Sequence, residues 1–276
     1  SIRRQRQMCI RDRRMIDESK LASLRSHVRG VCYRMTGSVA DADDLAQETL
    51  LRLVERPPPR VDEDLKPWVT RVAVNLARDR YRARRRMAYV GSWLPQPCPD
   101  EEEAISFEPA GTHARYDLME SASIAFLVAL EALSARQSAV LILRDVLDYS
   151  VEETATALLT SAGAVKVTHH RARAAMAAYD AVHARENVAS AEPRVREAMM
   201  QFFGAVASGD TAALEKLLAE DVVLRTDAAG EYVANVRPIA GSDKVIRYLL
   251  GVLRFHPDIA SAAVMLNGRS ALLWSA

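Results

Sequence analysis

Cysteine is scarce in this chain of 276 residues and oddly numbered. Cys9, Cys32 and Cys98 show no metal-ligand spacing, and an odd count makes no disulfide framework. Thiols used this way suit a reducing cytoplasm. There is no apolar run long enough to cross a bilayer and no secretory leader, so neither an anchor nor export is expected. An excess of charge is missing too: 37 Lys and Arg stand against 36 Asp and Glu, for a net charge of +1. That near-neutrality conceals a basic stretch at 66–86 and an acidic one at 100–108, so partners must be read from local patches.

What is there, above all, is one strongly basic helix. KPWVTRVAVNLARDRYRARRR, residues 66–86, carries Lys66, Arg71, Arg78, Arg80, Arg82, Arg84, Arg85 and Arg86 against a single acid, Asp79. At about 100° per residue, Arg71, Asn75, Arg78, Arg82 and Arg85 fall on one stripe. Trp68, Val69, Val72, Ala73 and Leu76 form an apolar stripe beside it. Clustered cations neutralise phosphates, and a directional amide such as Asn75 can read a base edge. A solvated amphipathic helix is the competing reading. Such helices are usually laced with both signs, and the lack of Glu at i−4 positions favours nucleic acid.

The opening SIRRQRQMCIRDRR is Arg-rich, aperiodic and without an initiating Met. Residues 1–16 are expected to be a non-native or disordered arm, with a functional basic arm as the alternative. Residues 17–90 read as one helical domain. Leu21, Leu24, Val28, Val31, Cys32 and Met35 recur at helical spacing until Thr36-Gly37-Ser38. A second helix, about 40–54, crowds Asp41, Asp43, Asp44, Gln47 and Glu48 into its first turns, where carboxylates suit the helix dipole. Pro57-Pro58-Pro59 stop it. The basic helix follows, capped by Asp62 or Asp64, with Pro67 in its first turn. Residues 91–111, proline-rich and acidic with glycine at both ends, read as a linker.

A second helical domain is expected over 112–186. Ser134 to Gln137 and Ser150 to Glu153 have capping-box form and place helix starts near Ala135 and Val151. The short helix from Val151 meets a tight turn at Thr160-Ser161 and then another helix, the helix-turn-helix pattern. On that last helix Lys166, His169, His170 and Arg173 share a face, with Ala164, Val165, Ala172 and Ala175 largely opposite. This suits a recognition helix, an ordinary surface helix being the plainer alternative. His169 and His170 are adjacent rather than i, i+4, so no metal is expected there. Residues 192–276 change texture: helices at about 195–206, 212–219 and 244–254 accompany strand-like runs at 222–226 and 232–236. Two more runs flank Asn267-Gly268, a two-residue hairpin signal. This is an α+β domain, read as C-terminally incomplete because it stops on an unpaired strand.

These pieces carry a resemblance. YRMTGSVADADDLAQETLLRL (33–53) is similar to region 2 of bacterial extracytoplasmic-function sigma factors, and 66–86 to the −10-reading and melting part of the same domain. Residues 133–176 resemble region 4, whose helix-turn-helix reads the −35 element. WLPQP (93–97) with DAAGE (227–231), RPIAG (237–241) and NGR (267–269) resembles the subgroup with a fused SnoaL-like domain. The resemblance implies a multidomain fold: two all-α domains, sigma region 2 and helix-turn-helix sigma region 4, then a truncated α+β SnoaL-like cone. It implies core RNA polymerase and promoter DNA, both duplex and melted, as partners, and no cofactor. Asp41, Asp43, Asp44, Gln47 and Glu48 match the surface that grips the polymerase. Trp68, Arg71, Asn75, Arg78 and Arg82 match the −10 helix, with Arg85 on the same stripe. Ser161, Lys166, His170, Arg171 and Arg173 match the −35 reader. His169 stands where family members usually have an apolar residue, and Thr168 where a basic one is common. Trp93, Leu94, Pro95, Pro97, Asp227 and Gly230 match the regulatory linker and tail, where a DGGGK-like motif is reduced to Asp227 and Gly230.

Two functions compete. One is a cytoplasmic, membrane-free initiation factor without catalytic residues, regulated in cis by its tail. The other is an enzyme, because SnoaL-like cones include cyclases and isomerases; Asp221, Asp227 and His256 are then the acid/base candidates. Between them lies a tail that binds a small-molecule ligand without turning it over.

Overall fold

Helix α1 (Glu18–Thr36) stops at Gly37, whose left-handed conformation (φ 65°) lets its N–H donate to the Tyr33 carbonyl at 2.7 Å. Ser38 then caps α2 (Val39–Glu55) by accepting from the Asp41 N–H at 3.1 Å. Helix α3 (Lys66–Arg86) begins where the Asp64 carboxylate accepts from the Lys66 N–H at 3.0 Å. The computed structural model describes residues 17–59, 64–86, 93–100, 121–183, 188–227, 235, 237–255 and 260–275. Cys9, Asp62, Gly230 and His256 lie outside these, as does the arm at 1–16.

The three helices bury Leu24, Val28, Val31, Leu45, Leu53, Val69 and Ala73 against one another. The buried side of α3 is Val69, Thr70, Ala73, Val74, Ala77 and Tyr81, whereas Trp68, Val72 and Leu76 are only half-buried. The face is turned from the stripe expected above because α3 is covered from two directions. His27 of α1 hydrogen-bonds Thr70 at 2.7 Å, and the Tyr81 hydroxyl donates to the Leu133 carbonyl of the second module at 3.0 Å.

That second module comprises α4 (Ile124–Leu130), α5 (Ala135–Leu141), a π-helical turn (Ile142–Val146), α6 (Val151–Ala157) and α7 (Ala162–His183). Both capping boxes form, at Ser134/Gln137 and Ser150/Glu153. In the π-helical turn the Leu147 N–H reaches back five residues to the Ile142 carbonyl at 2.9 Å. Leu159, at φ 51°, makes the sharp turn from α6 to α7. Val165, Ala172 and Met176 anchor α7, and the two modules share one continuous apolar core.

The tail has a core of its own. Helices α8 (Val188–Ser208), α9 (Thr211–Leu217) and α10 (Ser242–Phe255) bury Ala205, Val206, Leu214 and Ile246, with Trp274 packed on them. Among the described residues the strands form two separate antiparallel pairs, β1 (Val223–Leu224) with β2 (Ile239–Ala240), and β3 (Ala260–Leu266) with β4 (Arg269–Ser275). The run expected at 232–236 falls mostly outside the described residues. No described helix is long and apolar enough to cross a membrane.

Candidate nucleic-acid and polymerase interfaces

The stripe on α3 lies against the second module. The Asn75 amide donates to the Arg71 carbonyl at 2.8 Å and to the Ala157 carbonyl at 3.2 Å, while its oxygen accepts from Arg78 at 3.0 Å. Arg85 donates to the Leu133 carbonyl at 3.1 Å and to the Tyr81 hydroxyl at 3.1 Å. Arg82 is exposed and pairs with Asp79 at 3.2 Å. Arg71 is half-buried, and Trp68 packs against the core. Burial, then the nearby Arg82, hold the Arg78 guanidinium below the ordinary arginine value, and Arg136 of the second module adds to this. Two further ties cross the same boundary: buried Arg34 donates to the Ser121 hydroxyl at 2.8 Å, and Arg84 pairs with Glu131.

On α7 the arrangement is the reverse. Lys166, His170 and Arg171 are exposed. Ser161 caps the helix by accepting from the Ala164 N–H at 3.2 Å. His169 and Arg173 turn toward the buried Asp145 carboxylate, at 2.8 and 3.1 Å. Burial alone would raise the Asp145 carboxyl, but the hydrogen bonds from His169 and Arg173 outweigh it and hold it below its ordinary 3.8. Asp145 is thus a clamp on the helix-turn-helix that the sequence stripe did not reveal; the His at 169 was its only signal.

Of the acidic residues on α2, two are engaged internally: Asp43 takes a two-pronged bond from Arg29 (2.6 and 3.3 Å), and Asp41 pairs with Arg80 at 2.5 Å. Asp44, Gln47 and Glu48 line an open groove between α2 and α3, about 830 Å³, floored by Leu45, Leu51 and Leu76. Glu48 also holds Arg52 at 2.8 Å.

The linker is seated on the first module. A Cβ on Gly37 would stand 2.6 Å from the Trp93 ring, so only glycine leaves room for that indole. The Arg84 guanidinium covers the same indole at 3.8 Å from its centroid. Pro95 is buried and Pro97 exposed. Gln96 accepts from the Val39 N–H at 3.0 Å through its side chain and from the Tyr33 hydroxyl at 2.8 Å through its carbonyl. The tail meets this segment at both ends: Asp227 accepts from the Leu94 N–H at 2.7 Å, and, among other contacts near Cys98, Asn267 accepts from the Cys98 N–H at 2.8 Å. As contacts that seat the linker and tail, Gln96, Gly37, Arg84 and Asn267 were not expected from the sequence. Asn267 was visible only as a turn signal and as part of NGR. Cys32 and Cys98 are buried and outside any disulfide, and the described residues hold no cluster suited to a metal.

Two helical modules, one ending in a helix-turn-helix and each presenting a basic helix, define a DNA-reading architecture. Residues 21–87 match sigma-70 region 2, and residues 123–176 match sigma-70 region 4. The chain is 34% identical over 258 residues to the ECF RNA polymerase sigma factor SigJ of Mycobacterium tuberculosis, covering 92% of this chain and 79% of SigJ. It is 32% identical over 212 residues to SigG of the same organism, covering 70% of this chain and 56% of SigG. The crystal structure of SigJ superposes with a TM-score of 0.66 at 28% identity, over 93% of this chain and 83% of that one. The chain belongs to the extracytoplasmic-function RNA polymerase sigma factors: initiation subunits rather than enzymes, which bind core polymerase and promoter DNA.

Proposed function

We propose that this sigma factor is held closed by its own tail, and that it directs transcription from promoters once region 4 is released from region 2. The observation that carries this is the hydrogen bonding of Asn75 and Arg85 to region 4 carbonyls. The Asn75 amide, with its hydrogens on two carbonyls and its oxygen on Arg78, cannot simultaneously read a base edge, so the closed and promoter-bound arrangements exclude one another. In the open form Trp68, Arg71, Asn75, Arg78, Arg82 and Arg85 serve the −10 element, and Ser161, Lys166, His169, His170, Arg171 and Arg173 the −35 helix. His169 and Arg173 act there by fixing the helix on Asp145. Asp41, Asp43, Asp44, Gln47 and Glu48 form the polymerase-facing edge, with the latter three in the open groove. The domains run 17–90, 112–186 and 192–276, with 91–111 as linker.

The tail, read as SnoaL-like, acts through Trp93, Leu94, Pro95, Pro97, Asp227 and Gly230. Its engagement of Asp227 with the Leu94 N–H favours a structural over a catalytic use of that carboxylate. Work on chromosomal promoters and two buried cysteines outside any disulfide agree with a cytoplasmic site. Run-off transcription with core polymerase tests the reading, comparing full-length protein, a deletion of 192–276 and Trp93→Ala. Both changes should raise promoter-dependent transcript. Yields identical to wild type from both would sink regulation in cis.

A further inference from the structure

Asn267 sits at the tip of the β3–β4 hairpin, yet it is 1% exposed. Its φ of 52° and that of Gly268, 73°, are both left-handed, as a type I′ hairpin turn requires. One amide hydrogen goes to the Tyr33 hydroxyl at 2.7 Å and the other to the Ala122 carbonyl at 2.7 Å. The amide oxygen accepts from the Cys98 N–H at 2.8 Å, and the Asn267 N–H donates to the Cys98 carbonyl at 3.0 Å. Gly268 N–H adds a bond to Asp100 at 2.7 Å, so residues 98–100 run along the hairpin.

We infer that Tyr33, the Cys98 peptide and the Ala122 carbonyl together form a socket for a carboxamide carried on a left-handed hairpin tip, whose resident partner is Asn267 of this chain's tail. The inference rests on the closed-state reading above and names its lock. Tyr33 belongs to region 2, Cys98 to the linker and Ala122 to region 4, so the socket is complete only while the two regions are joined. Seating Asn267 and closing the molecule therefore favour each other, as linkage demands. The socket is selective. It offers two acceptors and one donor in fixed directions; a carboxylate lacks the hydrogens and an apolar residue lacks everything, leaving buried polar groups unsatisfied.

The test uses full-length protein with Asn267→Gly, Asn267→Asp and Tyr33→Phe, and Ser261→Ala as an exposed control on β3. Glycine keeps the left-handed turn while deleting the amide. Solution scattering reads the overall size, circular dichroism the fold, and run-off transcription the output. Losing three hydrogen bonds should move the closed-to-open ratio by on the order of a hundredfold, and Tyr33→Phe by roughly tenfold. Expanded Asn267 variants with native dichroism, beside a compact wild type and control, support the socket. Should the glycine variant lose its fold, Tyr33→Phe, which leaves the tail intact, decides. An Asn267→Gly protein as compact as wild type overturns the socket whatever the transcription result, as does a wild type already as extended as the variants. Expansion with unchanged transcript yield upholds the socket and removes the regulatory reading instead.

Discussion

Region 2 and region 4 each carry one basic helix, α3 and α7, and the molecule treats them oppositely. On α3, Asn75 and Arg85 are bonded to region 4 carbonyls, whereas on α7 Lys166, His170 and Arg171 face solvent. The helices are also fixed by opposite electrostatics. Thr70 of α3 is held by His27, whose imidazole is pushed down to about 4 by burial and then by Lys66, so it is neutral at pH 7. Helix α7 is held by the buried Asp145 carboxylate, which takes the Arg173 guanidinium and the His169 ring. On the closed-state proposal, closure would block −10 contacts through α3 and leave those through α7 available. The two modules should also answer acid and mutation differently.

The largest effect should come from the side of region 2 that closure leaves open. Asp44→Arg with Glu48→Arg reverses charge along the α2–α3 groove and should abolish co-purification with core polymerase while circular dichroism stays native. Retained binding would place the polymerase contact elsewhere. Acid comes next. A neutral buried histidine loses its advantage as pH falls from 6.5 toward about 4, up to about 3 kcal/mol at roughly 1.4 kcal/mol per tenfold in proton affinity. The depressed Asp145 carboxyl contributes above 3.8 and is lost only below it. Hydrogen exchange across an acid titration should therefore open region 2 before region 4, and His27→Gln should remove the difference; simultaneous opening in wild type would refute it.

Asp145→Asn removes the charge facing His169 and Arg173 and should lower stability by about 2 kcal/mol in denaturant melts. A loss confined to a few tenths would mean the cluster is loose. Asn75→Ala should relax −10 base preference by about 1–3 kcal/mol in the holoenzyme, read by competition among promoter variants. Equal weakening of every sequence would remove base reading from Asn75. Smallest of all, Arg171→Ala should shallow the salt slope of −35 duplex binding by about one unit, in the closed protein as in the holoenzyme. An effect seen only in the holoenzyme would mean that α7 is covered after all.

Much of this was legible in the chain because its signals are local. The capping boxes at Ser134 and Ser150, the Gly37 stop and the Asp64 cap each involve neighbours a few residues apart, and each forms. Family membership was legible for the same reason, since 33–53, 66–86 and 133–176 are contiguous stretches. What escaped is long-range. The buried face of α3 is turned because Leu133 and Ala157, distant in sequence, cover its flank. Helical spacing placed His169 beside Lys166, but it could not show that Asp145 would draw it inward. Asn267 read as a turn former because nothing near it in sequence hints at Tyr33, 234 positions away.

Asp145 lies inside the π-helical turn at Ile142–Val146. Such a turn is an α-helix holding one residue too many, and the surplus swings everything beyond it by about a quarter of a revolution. The clamp on the recognition helix therefore depends on a residue count as well as on residue identity. Shortening this stretch by a single position would preserve every side chain named here and still aim the carboxylate away from His169, so that an apparently neutral deletion would unfasten the reader from its support.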